Sequence, residues 1–443
     1  MRSPDTVIIG AGPSGILVWE QLTAAGVNAV LLEAGPSGPR GGYAPSSDPN
    51  VWAYRQARGA ALDWTRIHAV GGRTVAWGGL CFRFPQSVFE QGGWPYGART
   101  LAPDYATAET WLGVVEGLLQ PHHRRAARRL GWGLLPLRGA RLGGGGPWTA
   151  RDAAGAQAAR AHHVALGFDC SCGSAIALRV AGPGGRQRRM RARCFVLAAG
   201  PVESARLLLA SGVGRIAPRV GQGLVSHPTV SYMLVEPQPA PSPQSPYALL
   251  EGALVPFASD RFSLEIVGPQ PVTPSLRAEL QRLGLTPGKA AQARATYISG
   301  MSENTPHEQC RVTLSRTRTD QLGRPIPIVH LATSAADRQR RSRMKAKCVA
   351  FAEALAEPGA ELFLLHDPPA SCYLFHEAGT CVMGQSNDDP CDPRGRLRAV
   401  DNVWIADASV FPSAGDRHPT LTILAHALRV ARDVRRHLME TPT

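Results

Sequence analysis

A chain of 443 residues exceeds the usual span of a single hydrophobic core, so two domains are expected. The net charge is +14, yet only Lys289, Lys345 and Lys347 among the 48 basic residues are lysine. Arginine, alanine, glycine and proline are abundant together, as a GC-rich coding sequence produces without binding pressure, so neither nucleic acid nor a membrane is expected as a partner. Nine scattered cysteines without a Cys-x-x-Cys pair point to reduced thiols, and with no leader or membrane-length apolar run the expected location is cytoplasmic.

Thr6–Ile9 predicts a short strand, followed by Gly10-Ala-Gly12-Pro-Ser-Gly15 and a helical pattern over Ile16–Ala25. A second strand, Ala29–Leu32, ends at Glu33, an acid at the distance a dinucleotide fingerprint requires. The first glycine permits the tight turn, the second lets backbone approach a pyrophosphate, and the third lets helix pack on strand. Glu33 would accept hydrogen bonds from an adenosine ribose and repel a 2′-phosphate. A second glycine-rich loop, Val70-Gly-Gly72-Arg73-Thr74-Val-Ala-Trp77-Gly-Gly79, is flanked by Arg66 and His68. Its four glycines bracket Trp77, so backbone can lie flat against a planar group such as an isoalloxazine ring while Trp77 walls it.

From Trp94 a turn leads into an amphipathic helix expected to start at Pro103 and to bury Tyr105, Ala108, Trp111 and Leu112. The Gly143–Gly146 run predicts a mobile loop. Cys170 and Cys172 lie near His162 and His163 but lack the spacing of a structural zinc site, so no metal is expected. Strands over Ser174–Val180 and Arg189–Arg193 flank a Pro183–Gly185 turn. The apolar strand starting at Phe195 ends in Ala199 and Gly200, whose small size allows close approach near the ribose, and a helix follows over Glu203–Ala210. After the loop Gly221–Pro228, residues 229–370 alternate strand-like runs with proline-rich links, predicting a mainly antiparallel sheet that carries substrate on one face. Arg311–Leu314 and Ile326–Leu331 flank a hairpin-like turn at Asp320–Pro325, and Ala335–Ala356 is a long basic helix with a solvated arginine face.

Ser371–Val430 gathers the remaining polar groups. His376 precedes Gly-Thr-Cys, the strand-like Val403–Ala406 ends at Asp407, and His418 directly precedes a Pro-Thr that opens an apolar helix. Pro419 suits the first helical position, with His418 as cap and the Thr420 amide unpaired at the positive end of the helix. The carboxylate of Asp407 is expected to accept ribityl hydroxyls.

The nucleotide motif, the GGRTVAWGG loop, the VGQGLVSHP loop and the HEAGTC and DASVFPSAGDRHPT segments together resemble the glucose-methanol-choline (GMC) flavin oxidoreductases over nearly the whole chain, and RVTLSRTRTDQLGRPIPIVHL is similar to a hairpin of their substrate domain. The second loop looks closer to the pyranose oxidase and sugar dehydrogenase branches. The resemblance implies an α/β (α+β overall) fold in two parts: a discontinuous Rossmann-like FAD-binding domain at 1–85, 151–229 and 385–443, and a mainly antiparallel substrate-binding domain at 86–150 and 230–384. It implies FAD, noncovalent because the tethering histidine's place holds Ala76, and a CH–OH donor such as a sugar, cyclitol, aminocyclitol or related polyol. His376 and His418 are the implied catalytic pair, with His376 favoured as base and hydride passing to flavin N5. Cofactor contacts are expected from Gly10, Gly12, Gly15, Glu33, Gly72, Arg73, Thr74, Trp77, Ala199, Gly200, Asp407, Ala408, Pro419 and Thr420. The electron acceptor, oxygen or another, is not encoded. The alternative is a flavin-binding protein without independent catalysis, or a subunit of a dehydrogenase complex.

Overall fold

The β-branched, apolar run Thr6–Ile9 forms β1 and is 0–5% exposed at Val7, Ile8 and Ile9, a central strand buried on both faces as parallel sheets require. The computed structural model describes residues 3–37, 55–56, 67–143, 146–238, 250–286, 293–367 and 376–441. After β1 come α1 (Pro13–Ala24) and β2 (Ala29–Leu32), then β3 (Cys194–Leu197), α2 (Pro201–Ala210) and β4 (Thr229–Glu236). The chain continues through β5 (Gly252–Phe257), β6 (Phe262–Pro271), β7 (Arg294–Ser302), β8 (Arg311–Thr319), β9 (Pro325–His330) and α3 (Ala335–Leu355). It ends with β10 (Glu361–His366), β11 (Val403–Ile405) and α4 (Thr420–Glu440).

One sheet is parallel, ordered β2-β1-β3-β11, with Thr6 opposite both Ala29 and Cys194 and with Phe195 opposite Val403. Its core is continuous with buried residues of α1 and α4, among them Ile16, Leu17, Leu421 and Leu424. The chain therefore returns to this sheet three times, the last time from its C-terminal end. The second sheet is antiparallel, ordered β10-β4-β7-β6-β5 and closed by Leu135–Pro136. Side chains of a strand alternate between faces. Val230, Phe262, Leu264, Ile266 and Ile298 accordingly pack on Met344, Cys348 and Phe351 of α3, while the intervening residues face the other way.

Several boundaries differ from the sequence expectation. The helix expected from Pro103 starts at Ala98 and carries Pro103 inside it. Its apolar face, Leu101, Tyr105, Ala108 and Leu112, is at most 1% exposed, and that burial outweighs the cost of an interior proline. The expected strand over Arg189–Arg193 lies at Gln187–Met190, and the helix expected from Glu203 starts at Pro201. The β8–β9 hairpin packs Val312 and Val329 on Val202 and Ala205 of α2, next to the parallel sheet. Residues 379–383 run along 408–410, with Gly379 N donating to Ala408 O at 2.9 Å and Met383 N to Val410 O at 2.8 Å. Gly144 and Gly145 of the glycine run, Arg66, and residues 371–375 lie outside the described residues.

Candidate active site

The three glycines of the first loop are required for three different reasons. Gly10 has φ +104°, and a Cβ there would stand 2.5 Å from Ala198 O; a Cβ on Gly15 would stand 1.9 Å from Gly10 O. At Gly12 a Cβ would meet nothing within 4 Å, because this residue borders a cavity of about 530 Å³. Gly12 caps α1 without a side-chain hydrogen bond, so the first-turn amides are unpaired within the helix and suit an anion. Glu33 Oε2 accepts from Ala11 N at 2.9 Å and Oε1 from Gly35 N at 2.8 Å, which fixes the carboxylate at the cavity wall. Burial pushes its carboxyl above the usual carboxylate range, against the downward pull of those amides.

The second glycine loop folds as a 3-10 turn over Gly72–Ala76 and leans on the first. Gly71 N donates to Ala11 O at 2.8 Å, and a Cβ on Gly72 would stand 3.1 Å from Gly12 Cα. Thr74 secures the loop: its hydroxyl donates to Gly71 O at 2.6 Å and accepts from Ala150 N at 2.9 Å. Trp77 lines the cavity with its indole held by an Nε1–H bond to Trp148 O at 2.8 Å. Arg73 Nη1 pairs with the buried Glu377 at 2.8 Å, tying this loop to the segment that carries His376.

At the C-terminal edge of the parallel sheet, Ala199, Gly200, Asp407, Ala408, Pro419 and Thr420 also line the cavity. The Asp407 carboxylate is not available as expected. Oδ2 accepts from Gly200 N at 2.9 Å and Ser204 Oγ at 2.7 Å, while Oδ1 accepts from Ser409 N at 2.8 Å and from the Ser409 hydroxyl. Four donors fill a carboxylate, so Asp407 holds the start of α2 against the end of β11 instead of meeting ribityl hydroxyls. Burial raises its carboxyl above the usual range. Pro419, with φ −85°, is the cap of α4 and its carbonyl accepts from Ile423 N at 2.9 Å, so His418 sits one residue further outside the helix than expected.

His376 and His418 converge with ring centroids 4.7 Å apart, and both line the cavity. Burial first, then His418, His227 and Arg73, holds the His376 imidazole well below its ordinary pKa, so it is neutral at physiological pH. His418 lies over Phe82, centroids 6.2 Å apart at 29°, and its Nε2 is 2.7 Å from Glu265 Oε1, out of line for a hydrogen bond. The antiparallel sheet supplies the opposite wall. His366 pairs with Ser231, Ser231 with Ser299, and Ser299 with Glu265, making one polar row across four strands, all of it at the cavity. Ser231 Oγ and Tyr297 Oη are 2.6 Å apart.

His227 was not assigned a role from the sequence, although it lies in the loop Gly221–Pro228. Its Nδ1 is 3.0 Å from His376 Nδ1, and its Nε2 is 3.0 Å from Ala414 O and 2.9 Å from Gly415 O. Burial, then His418, pushes its pKa down to about 4. Glu265, Ser299 and Ser231 were likewise hidden, because polar residues alternating within a strand pattern show no partner until the register is known. Cys170 and Cys172 are exposed near the 171–174 hairpin turn, and among the described residues no cluster of three metal-binding side chains forms.

The GMC oxidoreductase family model matches residues 306–427, which include His376 and His418. Over that stretch the chain is similar to the GMC oxidoreductases. This enzyme is 27% identical to 6'''-hydroxyparomomycin C oxidase of Streptomyces lividus, covering 98% of this chain and 92% of that one. It is also 27% identical to paromamine 6'-oxidase of Streptomyces fradiae, covering 99% and 92%. Among solved structures it is similar in fold to pyridoxine 4-oxidase from Mesorbium loti, with TM-score 0.68, 20% identity and coverage of 98% and 99%. The family match and the two relatives named as oxidases support an enzyme acting on CH–OH donors. Among the described residues no helix is long and apolar enough to cross a membrane.

Proposed function

We propose that this chain binds FAD noncovalently and oxidises a CH–OH group of a sugar, cyclitol or aminocyclitol to a carbonyl. The observation that carries the reading is that one cavity runs from Gly12 and Glu33 to His376 and His418, with the polar row Ser231, Ser299 and Glu265 along its far wall. The residues fit a dinucleotide: open space at Gly12 and unpaired helix amides for the pyrophosphate, and Glu33 for the ribose. A wall rich in hydroxyl and carboxylate groups suits a polyhydroxylated donor, and the names of the two relatives point the same way. Ala76, directly before Trp77, has no nucleophile with which to tether a flavin.

FAD, when bound, supplies the two-electron acceptor. The protein's part is to take the hydroxyl proton: neutral His376 accepts it, while His418 orients the substrate oxygen, and the α4 N-terminus at Thr420 presents a positive end to developing negative charge. Anaerobic mixing of the yellow protein with a panel of sugars and aminocyclitols tests this. Bleaching by one of them is expected, with FAD released into the filtrate on denaturation; no bleaching by any would favour a flavin-binding protein without independent catalysis. Readmitting air then separates an oxidase, which reoxidises fast with peroxide, from a dehydrogenase.

A further inference from the structure

We propose that His227, which does not touch the cavity, is a positioning residue that fixes the tautomer of His376, placing the proton on His376 Nδ1 and the basic lone pair on Nε2. This rests on His376 being the base, and the hydrogen-bond polarity leads to it in three steps.

His227 Nε2 has two carbonyl oxygens in front of it, Ala414 O at 3.0 Å and Gly415 O at 2.9 Å. A carbonyl oxygen only accepts, so Nε2 carries the hydrogen. The ring is wholly buried, and burial together with His418 keeps it neutral, which leaves Nδ1 as a lone pair. That lone pair is 3.0 Å from His376 Nδ1, so the hydrogen between them belongs to His376. In a neutral imidazole with Nδ1–H, only Nε2 can take a proton. The backbone at Ala414 and Gly415 thus dictates, through His227, which nitrogen of His376 is basic. Gly415 holds this backbone in place, with φ +73° and a site where a Cβ would stand 2.9 Å from the Phe84 ring. The groups facing His227 are His376, His418 and Asp416, and Asp416 is turned toward Arg417, with Oδ1 accepting from Arg417 Nε at 2.7 Å. Without His227, His376 can hold its proton on Nε2, where it presents no lone pair to a substrate hydroxyl.

Two measurements test the proposal. In the holoenzyme labelled with 15N-histidine, the His376 signals, assigned by their absence in His376→Ala, should show protonated Nδ1 and unprotonated Nε2; the opposite tautomer overturns it. In anaerobic flavin reduction, His227→Leu should lower the limiting rate by about 10–100-fold, the scale for loss of a partner that orients a functional histidine, with substrate affinity much less affected. His227→Gln, which can accept from His376 and donate to the carbonyls, should recover most of the rate. An unchanged rate in His227→Leu, or a Gln variant no better than Leu, overturns the proposal. If His376→Ala itself reduces flavin normally, the catalytic reading has failed, and the labelled spectrum still decides the tautomer.

Discussion

A methyl group added at position 12 would stand in open space, whereas at position 15 it would collide with the carbonyl of Gly10. The two substitutions therefore separate binding from folding. Gly12→Ala should leave the melting temperature of the cofactor-free protein nearly unchanged while sharply lowering the FAD-to-protein ratio, since on the proposed reading the added carbon stands in the space for the cofactor. Gly15→Ala should lower the melting temperature itself. Absorbance and thermal scans on both variants check this. These glycines were legible because their spacing sits between a strand and a helix. The roles of Thr74 and Asp407 were not, because each spends its oxygens on backbone brought close by folding: Thr74 on Gly71 and Ala150, Asp407 on Gly200 and Ser409. Composition shows that an acid ends a strand; it does not show whether four donors have already claimed it.

Helix α2 and the β8–β9 hairpin are joined by buried charge. Asp320 Oδ2 accepts from Arg206 Nη2 at 2.9 Å and from Arg324 Nε at 2.8 Å, and the three side chains are 0%, 2% and 8% exposed. Removing the acid takes away the nearer partner of both guanidinium groups and leaves the longer contacts to Glu203, at 3.5 Å from Arg206 and 3.8 Å from Arg324, so Asp320→Ala should cost up to about 3–5 kcal/mol, read as a lower denaturant midpoint. The hairpin turn at Asp320–Pro325 could be read from its glycine and proline. Its attachment to α2 could not, because the ion pair to Arg206 spans more than a hundred positions. The start of the helix at Ala98 was missed for a local reason: Pro103 reads as a first-turn residue, and only the complete burial of Leu101 shows that the helix begins earlier.

At the scale of the whole molecule, both layers were legible: the parallel sheet from apolar strands bounded by small residues, and the antiparallel sheet from alternation. The cavity wall between them was not, because it depends on register, which sets Glu265 against Ser299 and Ser299 against Ser231. Global stability carries a signature of another buried histidine. His123 is 0% exposed, its ring nitrogens have no hydrogen-bond partner among the described residues, and burial lowers its pKa to about 3. A depressed folded value means that the unfolded chain binds the proton first. The stability this histidine permits is therefore complete above pH about 6.5 and is lost as pH falls toward 3, by about 1.4 kcal/mol per pH unit. His123→Leu should accordingly raise the melting temperature relative to the parent more at pH 5 than at pH 7; an offset independent of pH would contradict this.

The proposed chemistry depends most directly on His376. Stopped-flow anaerobic reduction of bound FAD, by a donor that the parent enzyme oxidises, should slow by about two to four orders of magnitude in His376→Ala, while FAD stoichiometry stays unchanged. Undiminished reduction in the FAD-loaded variant would contradict the assignment of His376 as the base.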